Sequence, residues 1–434
     1  MRLNASFVPL FLAVVVATKP VIVDRSPITF PLLKKLNVTS GHNLVQSGKQ
    51  RAQLLRNQAL RKSGQAVDDV LVDEPVTNEA VIYIADIAVG SPATTYHLIV
   101  DTGSSNTWVG ADTDYAETTT SDDTGSGVSV SYGSGSFSGK FRFLPREEYT
   151  DTVTITDDLV LSSQSIGVAS RSSGFSGYDG ILGIGPTDLT EGTLSNSNAE
   201  IPTVVDTAFS EGLIDEQVIS VYFEPTTEEE VENGELTWGG VDDSKYTGEI
   251  NYTPVTNTYP ASYYWGTYIL GLRSPLHDLT TDPGIDQSIT YGNSVTILDN
   301  NAGITDTGTT LLYLATDAYN AYAEATGGEY DNSVGLLSIT SAQFDALESL
   351  FFSIGGVTYE FTPNAQIWPR SLNTAIGGSE DGIYLVVADV GTPSGQGLDF
   401  INGYVFLERF YSVYDSANSQ IGFATTPFTN ATSN

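Results

Sequence analysis

One short pattern occurs twice in this chain, far apart, and that repetition narrows the possible folds more than any other feature. The first copy is Ile99-Val100-Asp101-Thr102-Gly103-Ser104-Ser105. The second is Gly303-Ile304-Thr305-Asp306-Thr307-Gly308-Thr309-Thr310. In each, an apolar strand runs into Asp-Thr-Gly. An apolar-Gly element follows each copy, Ile181-Leu182-Gly183-Ile184 after the first and Phe400-Ile401-Asn402-Gly403 after the second. The distance from Asp to the Ile of that element is 80 residues in the first half and 95 in the second. Two elements repeated in the same order over such spans describe a duplicated lobe, not a solenoid period. The 434 residues are enough to give two lobes separate cores.

The stretches around the repeats are those of a mainly β protein. Val81-Ile82-Tyr83-Ile84 and Tyr96-His97-Leu98-Ile99-Val100 are strand-like, and turn-rich segments separate such runs from about Val76 onward. Helices are expected at Ile201–Leu213, Thr316–Ala325 and Ser341–Phe352, and Gln46–Lys62 has helical composition. The acidic stretch Glu228–Glu235 reads as a solvated loop without a function.

Charge divides the chain unevenly. Residues 19–62 hold nine basic side chains (Lys19, Arg25, Lys34, Lys35, Lys49, Arg51, Arg56, Arg61, Lys62) against one acid, Asp24. The whole chain has 18 basic and 53 acidic residues, a formal net charge of -35. A body this acidic repels nucleic acid and anionic membranes. A basic segment ahead of it is either a disordered tail or an inhibitory prosegment clamped on by charge, released when acid protonates the body's carboxylates. The apolar run Phe7–Ala17 is short for a membrane span and has the character of a secretory signal. The expected organisation is therefore a signal peptide at 1–18, a basic prosegment at 19–70, an N-terminal lobe at 71–253 and a C-terminal lobe at 254–434, with processing between about Lys62 and Asn78. Acceptors of the form Asn-x-Ser/Thr stand at Asn37, Asn251 and Asn430.

No cysteine is present, so disulfides and cysteine-ligated metals are excluded. The three histidines, His42, His97 and His277, form no spaced metal motif and leave few candidates for a Ser-His-Asp triad. Neither a metal nor another cofactor is expected. Carboxylates remain. Two carboxylates brought together cannot both ionise cheaply, so one proton is shared. The ionised partner can take a proton from an attacking water while the other donates to a carbonyl oxygen. Gly103 and Gly308 let backbone approach the carboxylates. Thr102 and Thr307 can tie the two loops, and Ser104 and Thr309 offer hydroxyls to the outer carboxylate oxygens. A lone Asp-Thr-Gly is often an ordinary turn; its duplication with a downstream partner is what carries weight.

On these residues, and on Gly90–Tyr96, Val100–Trp108, Tyr132–Gly139, Gly180–Gly185, Ala365–Gly378 and Phe400–Tyr414, the sequence resembles the pepsin family of aspartic proteases, most of all its cysteine-free fungal branch. The resemblance spans nearly all of residues 70–434. It implies a pepsin-like bilobal fold, with two related β-barrel-like lobes, a cleft between them and a six-stranded sheet beneath. It also implies a secreted, acid-activated endopeptidase that cuts between bulky apolar residues of protein and peptide substrates. Carried over residue by residue, Asp101 and Asp306 are catalytic. Gly103, Tyr132, Gly133, Ser134, Gly308 and Thr309 face the substrate, with Tyr132 at the tip of a mobile flap. Thr102, Ser104, Trp108 and Thr307 support them, Trp108 holding Tyr132 through its indole N–H. A monomer is expected, because the duplication supplies in one chain what a dimer otherwise provides.

Three departures stand out. Thr305 occupies an apolar position before the second aspartate and can add a hydrogen bond. Asn402 replaces a usual Leu before Gly403, a change expected to be tolerated. Segments near Lys140–Arg146 and Tyr268–Pro283 look foreign to the acidic body, as late insertions or unspliced intron sequence would. The main competing reading is a pepsin-fold protein that binds or inhibits without cutting. Such proteins often lose an aspartate or the flap tyrosine, and this chain has all three. An adhesion role has no anchor signal to support it. A glycosidase also uses two carboxylates, but its chemistry does not call for a duplicated Asp-Thr-Gly.

Overall fold

The computed structural model describes residues 25–62, 80–132, 135–138, 148–264 and 284–434. The signal-like stretch 1–18, the region just after Lys62, and the segments 140–146 and 268–283 lie outside them.

The first described strand, β1 (Ile28–Asn37), belongs to the basic segment, and the helix α1 (Gly41–Lys62) follows it. Leu44, Gly48, Arg51, Leu55 and Ala59 recur at three- and four-residue steps and all lie buried on one face of α1. The helix therefore starts earlier than composition suggests, because contact with the body stabilises its first turns. Next come β2 (Ala80–Val89) and β3 (Thr94–Asp101), an antiparallel pair. The hairpin β4 (Ser129–Tyr132) and β5 (Gly135–Ser138) is followed by β6 (Gly180–Gly183). Then β7 (Val218–Phe223) and β8 (Glu230–Trp238) pair antiparallel. The second half contributes β9 (Ile285–Tyr291), β10 (Val295–Thr305), β11 (Leu312–Leu314), β12 (Phe400–Asn402), β13 (Phe410–Asp415) and β14 (Gln420–Thr425).

A continuous sheet under the cleft draws on both halves. The strand Thr247–Pro254 is at one edge, and β14, β13, β7, β8 and β1 follow in order before the sheet runs on into β2 and β3. These first six strands form the base expected from the resemblance, and the sixth comes from the basic segment. β1 fills its slot by pairing antiparallel with both β8 and β2. The face of the sheet is apolar and aromatic. Tyr83 stacks on Phe223 with ring centroids 3.6 Å apart, and Trp238, Leu236 and Leu32 are fully buried.

Three local expectations need correction. Glu228–Glu235 is not a loop: most of it lies in β8, whose inner residues Leu236 and Trp238 anchor it while Glu230 and Glu232 face water, and Lys35 of β1 sits opposite Glu230. The helix expected over Ser341–Phe352 stops at Asp345. Leu350–Ile354 is a strand paired with β9, because Leu350, Phe352 and Ile354 alternate inward. The helix expected over Ile201–Leu213 is Val204–Ser210, bounded by a Thr203–Asp206 capping box and by Gly212 at φ 67°. The helix Thr316–Thr326 lies within a residue of expectation. Among the described residues no helix is long and apolar enough to cross a membrane.

Candidate active site

Each repeated element has a defined place. β3 ends at Asp101 and runs parallel to β6, with Asp101 opposite Gly183. β10 ends one residue before Asp306 and runs parallel to β12, with Thr305 opposite Asn402. The apolar-Gly element is thus the strand lying alongside the aspartate strand. Its glycine is required by packing. A Cβ on Gly183 would lie 2.6 Å from the Asn106 carbonyl oxygen, and one on Gly403 would lie 2.6 Å from that of Thr309.

The two Asp-Thr-Gly loops meet and bond reciprocally. The Thr102 N–H donates to Thr307 Oγ1 and the Thr307 N–H to Thr102 Oγ1, each at 3.0 Å. Thr307 Oγ1 also donates to the Val100 carbonyl at 3.0 Å. Around each carboxylate the donors repeat. Asp101 accepts from the Gly103 N–H at 2.9 Å and from Ser104 Oγ at 2.5 Å. Asp306 accepts from the Gly308 N–H at 3.1 Å and from Thr309 Oγ1 at 2.5 Å. Each glycine packs against the opposite carboxylate. A Cβ on Gly103 would lie 2.7 Å from Asp306 Oδ1, and one on Gly308 would lie 2.7 Å from Asp101 Oδ1. Both aspartates are buried.

Arg51 of α1 lies between them. Its Nη2 donates to Asp101 Oδ1 at 2.5 Å and to Asp306 Oδ1 at 2.8 Å, and its Nε donates to Asp306 Oδ2 at 2.6 Å. Burial opposes the guanidinium charge, but the two aspartates outweigh it and drive its pKa up. Burial also pushes Asp101 up, helped by the Asp306 charge and only partly countered by Arg51. Burial acts the same way on Asp306, yet the two-pronged Arg51 contact, Thr309 and the Gly308 N–H hold that carboxyl below its ordinary value. The asymmetry follows the geometry, two guanidinium bonds to Asp306 against one to Asp101.

The hairpin β4–β5 pairs Tyr132 with Gly135; Gly133 and Ser134, between them, lie outside the described residues. Tyr132 is buried against Phe175, edge to face at 5.6 Å, and near Trp108 at 6.2 Å. Trp108 in turn meets Phe175 at 4.8 Å, close to perpendicular. Burial, then the negative Asp101, raise the Tyr132 phenol, while Trp108 and Ser104 act as hydrogen-bond partners that pull it down.

Sequence reading did not single out Arg51 from its eight basic neighbours. Helical phase was the available signal, since Arg51 lies on the same face as Leu44 and Leu55. Two tyrosines that seat α1 had no signal at all. Tyr313 Oη donates to the Val45 carbonyl at 3.0 Å, and Tyr264 Oη donates to that of Leu55. Gly48 lies flat on the Tyr313 ring, where any Cβ would overlap the phenol. Gly48→Ala is expected to destabilise the full chain by about 1–3 kcal/mol through overpacking. Thermal melts of the full-length variant and wild type check this, and an unchanged Tm would refute it.

Residues 82–426 match the family described as eukaryotic aspartyl protease. This chain is a eukaryotic aspartyl protease. The protease is 58% identical to polyporopepsin from Irpex lacteus over 361 residues, covering 83% of this chain and 98% of that protein. It is 28% identical to pepsin A from Sus scrofa, covering 93% and 97% of the two chains. The crystal structure of an aspartic proteinase from Irpex lacteus superposes on the protease with a TM-score of 0.76 at 51% identity, covering 94% of this chain and all of that one. The two barrel-like lobes and the aspartic endopeptidase class follow from these matches.

Proposed function

We propose that the protease is secreted as a monomeric zymogen and cuts protein and peptide substrates in acid with a water activated between Asp101 and Asp306. The observation carrying this reading is the pair of cross-bonded loops, which set two buried carboxylates so close that one guanidinium bridges both. With Arg51 withdrawn, the pair retains a single negative charge when one proton is shared. The ionised carboxylate takes a proton from water, and the protonated one donates to the carbonyl oxygen of the scissile bond. Tyr132, Gly133, Ser134, Gly103, Gly308 and Thr309 are assigned to substrate, and Thr102, Ser104, Trp108 and Thr307 to support.

In this reading β1 and α1 are the inhibitory prosegment, and Arg51 occupies the place of water and substrate. The pH response follows from the shifts. Asp306 is depressed, so its hold on Arg51 is intact above the ordinary carboxylate value of 3.8 and is lost only as pH falls through the lower folded one. Glu408 behaves differently. Burial raises it, against the pull of Lys34, whose ammonium is buried with it at 3.4 Å. Protonating Glu408 strips the buried Lys34 ammonium of its counter-charge. The Lys34–Glu408 charge pair is therefore lost at a higher pH than the Asp306–Arg51 contact.

Two experiments follow. Purified full-length chain is moved from neutral pH to about pH 3–5, near the carboxylate model values, while prosegment loss is followed by mass and casein cleavage by gel. Acid-dependent loss and cleavage support the reading; a prosegment-free, folded protein that cuts nothing refutes it in favour of a binding role. Separately, Glu408→Gln leaves Lys34 buried without its counter-charge, at about 3–5 kcal/mol. Its conversion is expected at higher pH than wild type, and an unchanged midpoint would discard the pair as a latch.

A further inference from the structure

The two aspartate strands rest on unlike neighbours. On the first, Val100 lies opposite Leu182, both apolar and fully buried. On the second, the matching positions are Thr305 and Asn402. Thr305 accepts a hydrogen bond from Tyr414 Oη at 3.2 Å. Asn402 has a partner of its own kind. Gln287 Nε2 donates to Asn402 Oδ1 at 3.2 Å, and Asn402 Nδ2 donates to Gln287 Oε1 at 2.9 Å. Neither side chain has any exposure to solvent.

Gln287 belongs to β9 and Asn402 to β12, and these strands flank β10 on its two sides. The reciprocal amide pair thus spans the strand that delivers Asp306. The carbonyl of Asn402 accepts the backbone N–H of Asp306 itself at 3.1 Å. A buried amide with both its groups satisfied holds one geometry, because every alternative leaves a donor or acceptor unpaired at about 1–3 kcal/mol. An apolar contact at the same site would tolerate sliding.

We infer that Gln287 is a positioning residue for the reaction, acting through Asn402 to fix the Asp306 loop at its working distance from Asp101. The role rests on the Asp-pair mechanism proposed above. Among the described residues, the side-chain hydrogen bonds of Gln287 go to Asn402. Its influence runs from its amide to the Asn402 side chain, and from the Asn402 carbonyl to the Asp306 N–H. The splitting between the two apparent pKa values of a carboxylate pair depends on their separation. A loosened loop therefore changes the pH profile as well as the rate.

The test uses the acid-converted enzyme, assayed on a peptide substrate across pH, with Asp101→Asn in parallel. Gln287→Met keeps the length of the side chain and removes its amide. Its kcat is expected to fall about 10- to 100-fold, with KM nearly unchanged and a narrower bell-shaped pH profile. Gln287→Glu, neutral when buried in acid, can both accept from and donate to Asn402, and is expected to restore wild-type kcat and profile. If the Met variant does not fold, Gln287→Asn, one methylene short of Asn402, reads the same loss. A folded Met or Asn variant that lowers Tm alone, with kcat and pH profile intact, overturns the inference. A Glu variant as impaired as the Met variant overturns it too. An active Asp101→Asn enzyme would sink the underlying mechanism instead, so the two failures are distinguishable.

Discussion

Asp101→Asn is expected to fold, to keep Arg51 in the cleft, and to lose peptide hydrolysis by a factor of about 10²–10⁴ or more. The carboxylate accepts three hydrogen bonds, from the Gly103 N–H, Ser104 Oγ and Arg51, or two if Arg51 is withdrawn, within a loop tied to its twin by the Thr102–Thr307 exchange. No count of partners substitutes for its charge: an amide in its place can no longer share a proton with Asp306. Substrate binding should survive, because it rests on other residues, so the loss belongs in kcat with KM little changed. Asp306→Asn should do the same, and the two losses should not add, since the pair works as one unit. Initial rates on a chromogenic peptide, with the prosegment removed from each variant by an added protease, measure this. Either variant retaining wild-type kcat would mean that the buried pair is not the catalytic centre.

Arg51→Met should have the second largest effect, and in the opposite direction. It leaves two buried carboxylates facing an apolar side chain, and removing one partner from a buried ion pair costs about 3–5 kcal/mol. At about 1.4 kcal/mol per tenfold, the population of full-length chain with an open cleft rises by about two to three and a half orders of magnitude. Self-conversion at a fixed, mildly acidic pH should accelerate accordingly, and its midpoint should move upward, because the contact that depresses Asp306 is gone. Arg51→Lys should fall between, since an ammonium supplies the charge but not the planar fork that reaches both carboxylates. A stopped-flow pH jump with detection of the released prosegment gives the rates. If Arg51→Met converts at the wild-type rate and pH, latency resides in β1 and the Lys34–Glu408 pair.

How far the sequence could be read differs from residue to residue. The Asp-Thr-Gly copies and their apolar-Gly partners were legible because the chemistry and the close backbone approach both demand particular residue types at fixed places. The helix Thr316–Thr326 was legible from local pattern and ended at Gly327, in the left-handed region. Ser341–Phe352 misled because Leu350-Phe351-Phe352 has apolar residues compatible with either period, and pairing with β9 settled it as strand. Glu228–Glu235 misled because acidic composition suggests a loop, whereas the exposed outer face of a strand accepts glutamates freely.

By itself the sequence determined a duplicated, mainly β chain with two aspartates at matching strand ends and a basic segment ahead of an acidic body. Those features depend on local pattern and residue chemistry, which need no knowledge of distant neighbours. Tertiary structure alone decided which of nine basic residues meets the aspartates, since Arg51 is 50 residues from Asp101 and 255 from Asp306. It alone joined Lys34 to Glu408 across 374 residues and Gln287 to Asn402 across 115. Burial makes each of these pairings specific, because a charge or amide removed from water must find its partner wherever the packed chain brings one.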